Sequence, residues 1–125
     1  MAHTLHGHGM GWRPDLPDFR DLTSRSEPIK HVLAKSVSLK KARTTQPSSV
    51  DLRPWCSPVE DQRELGSCTA NAGAGMYEYF EKRAFGTYVD CSGLILYKVT
   101  RRLAGTEGDE GAYLRDTMKA IALFG

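Results

Sequence analysis

The stretch from Ser67 to Gly86 constrains the fold most. It opens Cys68-Thr69-Ala70-Asn71-Ala72-Gly73-Ala74. Ala70, Gly73, Ala74, Tyr77, Phe80 and Ala84 then return at intervals of three and four, which is one face of a helix. The early positions of that face are all small. A helix with Ala and Gly on its inner side lets another backbone approach closely, so this helix is expected to be central. Gly86 is its stop signal. Ser92 caps a second expected helix, with Leu96, Val99 and Leu103 on one face. A third spans Tyr113 to Phe124, with Leu114, Met118, Ile121 and Ala122 inward and Arg115, Asp116 and Lys119 outward; Gly125 falls at its end. Ahead of these, residues 51–65 carry Pro54 and Pro58 and read as loop. The chain is therefore expected to be mostly α.

The first part of the chain reads differently. Residues 1–50 hold eight Lys/Arg against four Asp/Glu, whereas residues 51–125 hold nine against eleven. Four of the six prolines (Pro14, Pro17, Pro28, Pro47) fall in the first fifty residues, and no sustained apolar period runs through them. Residues 1–48 are read as an extended tail or pro-segment, and 49–125 as the folded domain. Within the tail, Trp12 to Asp21 mixes two aromatics with two prolines and suits a strap lying on a folded surface. Ile29 to Leu39 suits a helical turn or two. A chain of 125 residues has room for one small core. Its 40% hydrophobic and 26% charged content excludes collagen-like, coiled-coil and disulfide-scaffold classes. No apolar run approaches the ~18 residues of a membrane span, and no signal-peptide h-region is present. A cytoplasmic location without membrane or nucleic-acid partners is the expectation.

The chemistry concentrates at the start of the first long helix. Cys68 lies between a loop and a helix N-terminus, whose unpaired amides favour a thiolate. Gln62 stands six residues earlier, and its amide suits a hydrogen bond to an oxyanion, beside the Cys68 backbone N–H. A buried structural thiol is the competing reading of a cysteine so placed. Four further groups read as structure or solvent. His3, His6 and His8 are scattered over a tail and predict no metal site. Glu107, Asp109 and Glu110, among glycines, lack calcium-loop spacing and are expected to be solvated. Cys56 and Cys91 are expected to be packed thiols, and Lys35, Lys40, Lys41 and Arg43 a solvated face. No cofactor is implied.

Val50-Asp51-Leu52-Arg53, followed by Val59-Glu60-Asp61-Gln62-Arg63-Glu64-Leu65-Gly66-Ser67-Cys68-Thr69-Ala70-Asn71-Ala72, resembles the start of a mature papain-like cysteine peptidase. Gly111-Ala112-Tyr113 and the helix after it are similar to that family's glycine-rich substrate-binding strand. The resemblance covers residues 49–125. It implies the left-hand, helical half of a two-lobed α+β domain. It implies Cys68 as nucleophile and Gln62 as oxyanion-hole donor. Gly66 and Ser67 would shape the turn presenting the thiol, and Gly111 and Ala112 would pair with the backbone of a peptide or protein substrate. Leu65 and Thr69 stand where the family signature has a cysteine and an aromatic, so a usual disulfide is lost. Arg63 and Ala112 stand where glycine is common. The family's histidine and asparagine follow the cysteine by ~130–150 residues, whereas the four histidines here all precede it. The chain by itself is thus expected to show little or no peptidase turnover, with a separate C-terminal half supplying the base. The alternative is a non-catalytic module that binds a peptide or partner through the same half-fold.

Overall fold

A computed structural model describes residues 3–5, 7–40 and 47–124. Four α-helices dominate the described residues, three of them where the helical periods predict. The described residues fall into two compact units: Leu16–Asp51, and the segments on either side of it. The units do not follow the sequence-based division at 48/49, because residues up to Asp15 belong with the helical unit.

Within Leu16–Asp51, a turn at Asp18 is closed reciprocally. The Asp21 N–H donates to the Asp18 carbonyl at 3.0 Å, and the Asp18 N–H donates to Asp21 Oδ2 at 3.1 Å. Helix α1 then runs Glu27–Lys40. The Ser26 carbonyl accepts the Ile29 and Lys30 amides, and Pro28 needs no partner in a first turn. The expectation of an extended tail is corrected here: α1 extends well past the expected turn or two. Lys41, Arg43 and the side chain of Lys40 lie outside the described residues, as do the side chains of His3, His6 and His8.

In the other unit, β1 (His3–Leu5) and β2 (His8–Met10) form an antiparallel pair. β3 (Trp12–Arg13) pairs in parallel with β4 (Ala112–Tyr113), Trp12 opposite Ala112. The 51–65 stretch is loop apart from one 3-10 turn, Arg53–Trp55. Helices α2 (Cys68–Phe85), α3 (Gly93–Ala104) and α4 (Leu114–Phe124) pack on one another. Gly86 closes α2 at φ +78°, the left-handed conformation for which glycine carries no Cβ penalty. Ser92 caps α3, its Oγ accepting the Ile95 N–H.

The core is made of small side chains: Ala70, Ala74, Ala112 and Ala120, with Leu96 and Tyr97. Gly73 allows this closeness, because a Cβ there would lie 2.9 Å from Thr117 Cγ2. The buried faces are rotated from the expected ones. On α2, Phe80 and Ala84 are exposed and Glu78 is buried. On α3, Leu103 is exposed while Thr100 and Arg101 are buried. On α4, Leu114, Met118 and Ala122 are exposed, and Thr117 and Ala120 turn inward. The physical reason is partnering. Thr100 and Thr117 return their hydroxyls to the carbonyls of Leu96 and Tyr113, so they enter the core without an unmet polar group. Among the described residues no helix is long and apolar enough to cross a membrane.

Candidate functional site

The loop from Gln62 to Ser67 delivers Cys68 to the first position of α2. Arg63 adopts φ +53°, a left-handed conformation that costs a side-chain-bearing residue about 1 kcal/mol or more. Its N–H is held by Asp61 Oδ1 at 2.8 Å. Ser67 is buried, but its side chain makes no cap bond to the helix. Ser67 Oγ instead accepts from Asn71 Nδ2 at 3.0 Å. The first-turn amides of α2 therefore have no side-chain acceptor from Ser67, and they carry the partial positive charge of a helix N-terminus.

Cys68 is half-buried and Cys56 is exposed; all three cysteines are free thiols. The expectation of a packed Cys56 is thus corrected: it sits on the short 52–56 turn, where its Sγ donates to the Leu52 carbonyl at 3.6 Å. Gln62 and Cys68 line one open cavity of about 360 Å³ with Gly9, Met10, Val59, Glu60 and Asp61. The structure thus brings the two residues singled out by spacing to one hollow. The Gln62 amide is already engaged. Its Nε2 donates to the Gly9 carbonyl at 2.5 Å and to the Leu65 carbonyl at 3.0 Å.

The segment that supplies Gly9 is a strap running to Asp15, and only its last part, Trp12 to Asp15, falls within the strap expected from the sequence. The Gly9 N–H donates to the Arg63 carbonyl, and the Ala112 N–H donates to the Gly11 carbonyl, both at 2.8 Å. The Arg13 guanidinium stacks 4.7 Å from the centre of the Tyr113 ring. Asp15 closes the strap at the N-terminus of α4. Its Oδ2 accepts the Arg115 N–H at 3.4 Å, and its carboxylate faces the Arg115 side chain at 3.9 Å. A carboxylate there is favoured by the helix dipole. The edge expected to meet substrate, Gly111-Ala112, is thus paired with the chain's own residues.

Gly111 departs further from its expected role. Its N–H donates to the Tyr97 hydroxyl at 3.1 Å, and its carbonyl accepts from Arg101 Nη1 at 3.1 Å. Both backbone groups are spent inside the fold and neither is left for a substrate. Its own φ is +82°, and a Cβ would lie 2.0 Å from the Gly11 carbonyl oxygen. Gly66 is similarly enclosed, its N–H shared by both Asp109 oxygens at 3.1 Å. Asp109 was expected in a solvated acidic loop. It is instead half-buried and accepts the Tyr97 hydroxyl at 2.6 Å. Burial, reinforced by this bond to Asp109, pushes the Tyr97 hydroxyl above its ordinary range, with Arg101 pulling the other way. Sequence reasoning missed Tyr97 and Arg101. An i, i+4 pair of a phenol and a guanidinium on the inner face of α3 was the available signal.

A second polar group meets at Glu78 of α2, and its Glu60 also lines the Cys68 cavity. Glu60, Glu78 and Asp90 bring one carboxylate oxygen each within 4.8 Å of one another, a donor set of the kind a divalent cation takes. Residues from a loop, a helix and a second loop carry no spacing signal. Glu78 Oε1 accepts the Cys91 N–H at 2.7 Å. Burial and then the Glu78 charge push the Cys91 thiol up. Compared with models of protein families, with curated proteins and with solved structures, the chain finds no match in any of the three.

Proposed function

We propose that this chain carries the nucleophile-bearing half of a thiol-dependent acyl-transfer site, a cysteine peptidase resembling the papain-like family. Cys68 is the attacking group and Gln62 the oxyanion donor. The histidine base comes from residues outside these 125. The observation that carries the reading is the shared cavity: a half-buried thiol at a helix N-terminus beside a glutamine amide whose Nε2 holds a peptide carbonyl at 2.5 Å. In this reading a scissile carbonyl takes the place that the Gly9 carbonyl holds. The Gln62 N–H and the Cys68 amide then receive the charge that develops on its oxygen. The thiolate forms a thioester and the amine departs with a proton supplied by the imidazolium.

The test is competition between cysteines within one molecule. Cys56 is exposed, so indiscriminate alkylation favours it over Cys68. A peptidyl chloromethyl ketone is expected to modify Cys68 first, and Gln62→Ala is expected to slow that reaction without changing Cys56. Preferential labelling of Cys56 by the peptidyl reagent would overturn the assignment. A second reading, a peptide-binding module without chemistry, is supported by the pairing of β4 with the extended strap. It gains if Cys68 is inert while a peptide of the sequence 8–13 binds a variant lacking its own strap.

A further inference from the structure

The Gly66–Ser67 turn reaches α3 and the Gly111 strand through side chains rather than a covalent cross-link. Leu65 stands where a cross-linking cysteine is common in the resembled family, and the three cysteines are free. In its stead, Asp109 spans the gap. Both its oxygens accept the Gly66 N–H, and Oδ1 also accepts the Tyr97 hydroxyl. That phenol oxygen is used to capacity: it donates to Asp109 and accepts from the Gly111 N–H and from Arg101 Nη1 at 3.3 Å. Arg101 Nη1 in turn reaches the Gly111 carbonyl. Two glycines from different loops are thereby fixed, Gly111 by two side chains one turn apart on α3 and Gly66 through Asp109. The backbones are nearly in contact, since a Cβ on Gly66 would sit 3.0 Å from Asp109 Oδ1 and 3.4 Å from the Gly111 nitrogen.

Arg101 Nη2 is buried with no hydrogen-bond partner. A guanidinium buried one bond short is a poor way to gain stability, and apolar replacements of buried charges are often neutral or stabilising. Its bonds to Tyr97 and Gly111 fit a demand for register. Resting on the assignment of Cys68 as nucleophile, we infer that Asp109, Tyr97 and Arg101 are positioning residues that hold the Gly66–Ser67 turn, and through it the Cys68 thiol, in register with Gly111. A displacement near 1 Å at a reacting atom costs about a hundredfold in rate, so a turn two residues from the thiol is a sensitive place to hold.

The experiment uses the full chain and reads the rate of Cys68 alkylation by a peptidyl chloromethyl ketone, with Cys56 in the same molecule as reference. Tyr97→Phe removes only the hydroxyl. It is expected to lower the Cys68-to-Cys56 rate ratio about tenfold or more, as is Asp109→Ala. Asp109→Asn retains an acceptor for the Gly66 N–H and is expected to restore most of the rate. Arg101→Met orphans the Gly111 carbonyl and lowers the melting midpoint, but well below that midpoint it is expected to slow Cys68 while leaving Cys56 unchanged, which a loss of global stability alone would not produce. Should Asp109→Ala fail to fold, Tyr97→Phe and Arg101→Met decide the matter. Unchanged ratios in both would overturn the positioning role. A wild-type Cys68 no faster than Cys56 would instead overturn the nucleophile itself, and the two failures are told apart by the wild-type rate alone.

Discussion

Two polar clusters adjoin α2, and they are built on opposite principles. Around Gly66 and Gly111, a carboxylate, a phenol and a guanidinium alternate as acceptor, relay and donor. Around Cys91, three carboxylates meet, and the backbone supplies compensation to one of them through the Cys91 amide to Glu78. The first arrangement draws backbones together until only glycine fits. The second tolerates mutual repulsion and stays open: Glu60 and Asp90 are exposed. Complementary polar groups can therefore do what apolar area does elsewhere, fixing backbones at contact distance. Like charges hold a loop only through single backbone bonds.

The sharpest way to break the first cluster is Gly111→Ala. The substitution meets two obstacles at once, a φ of +82° and the Gly11 oxygen 2.0 Å from the new methyl. Backbone strain and overpacking together are expected to cost about 3 kcal/mol or more, read as the urea midpoint. The Ala112 amide should lose protection from hydrogen exchange as the Gly11 bond opens. A loss under about 1 kcal/mol would mean that the strap is not held against Gly111 at all. The second cluster should yield less. Glu78→Ala leaves the Cys91 N–H without its acceptor, a deletion expected to cost about 2 kcal/mol. A cost equal to that of Gly111→Ala would erase the distinction between the clusters.

The difference between the clusters also explains what the sequence could reveal. Helix periods come from apolar spacing and are visible in one dimension, so α2, α3 and α4 were legible, together with the Gly86 stop and the Ser92 cap. Spacing likewise pointed to Gln62 and Cys68, because both belong to one short segment. The inward faces were misjudged wherever a polar residue won the inner position. Thr100, Thr117, Glu78 and Arg101 are buried because a carbonyl, an amide or a hydroxyl meets each of them. For the two threonines and Glu78 those partners are backbone atoms that a residue alphabet does not show; for Arg101 the partner is Tyr97, one turn away and visible as an i, i+4 pair. The strap was legible only from Trp12 to Asp15, for the same reason. Its apolar content is low, and its attachment rests on backbone hydrogen bonds at Gly9 and Gly11 and on Asp15 at a helix end.

Arg63 offers a gain instead of a loss. It holds a left-handed φ of +53° in the loop that carries Gln62. Arg63→Gly relieves that strain while adding unfolded-state entropy, and a net stabilisation of about 1 kcal/mol or less is expected. Its N–H bond to Asp61 survives the change. The melting midpoint should rise, and Cys68 alkylation should be unaffected because the turn keeps its shape. A fall in stability would show that the Arg63 side chain contributes contacts that outweigh its backbone strain.

The smallest expected effect separates the clusters by pH. Burial and the carboxylates of Glu78, Glu60 and Asp90 raise the Cys91 thiol from an ordinary value of 9.0. A thiol raised in the native state binds its proton more tightly there than in the unfolded chain. Its contribution to stability is complete below the unfolded value and is lost as pH climbs through the folded one. Cys91→Ser should therefore leave the urea midpoint near pH 7 almost unchanged and make its alkaline decline shallower above about pH 9. Tyr97, raised from 10.0 chiefly by burial, adds a decline of the same sign at higher pH that the Cys91 variant keeps. Tyr97→Phe should remove that later portion while sparing the earlier one. If both variants flattened the same part of the curve, the two clusters would be titrating as one, and the contrast between them would fail.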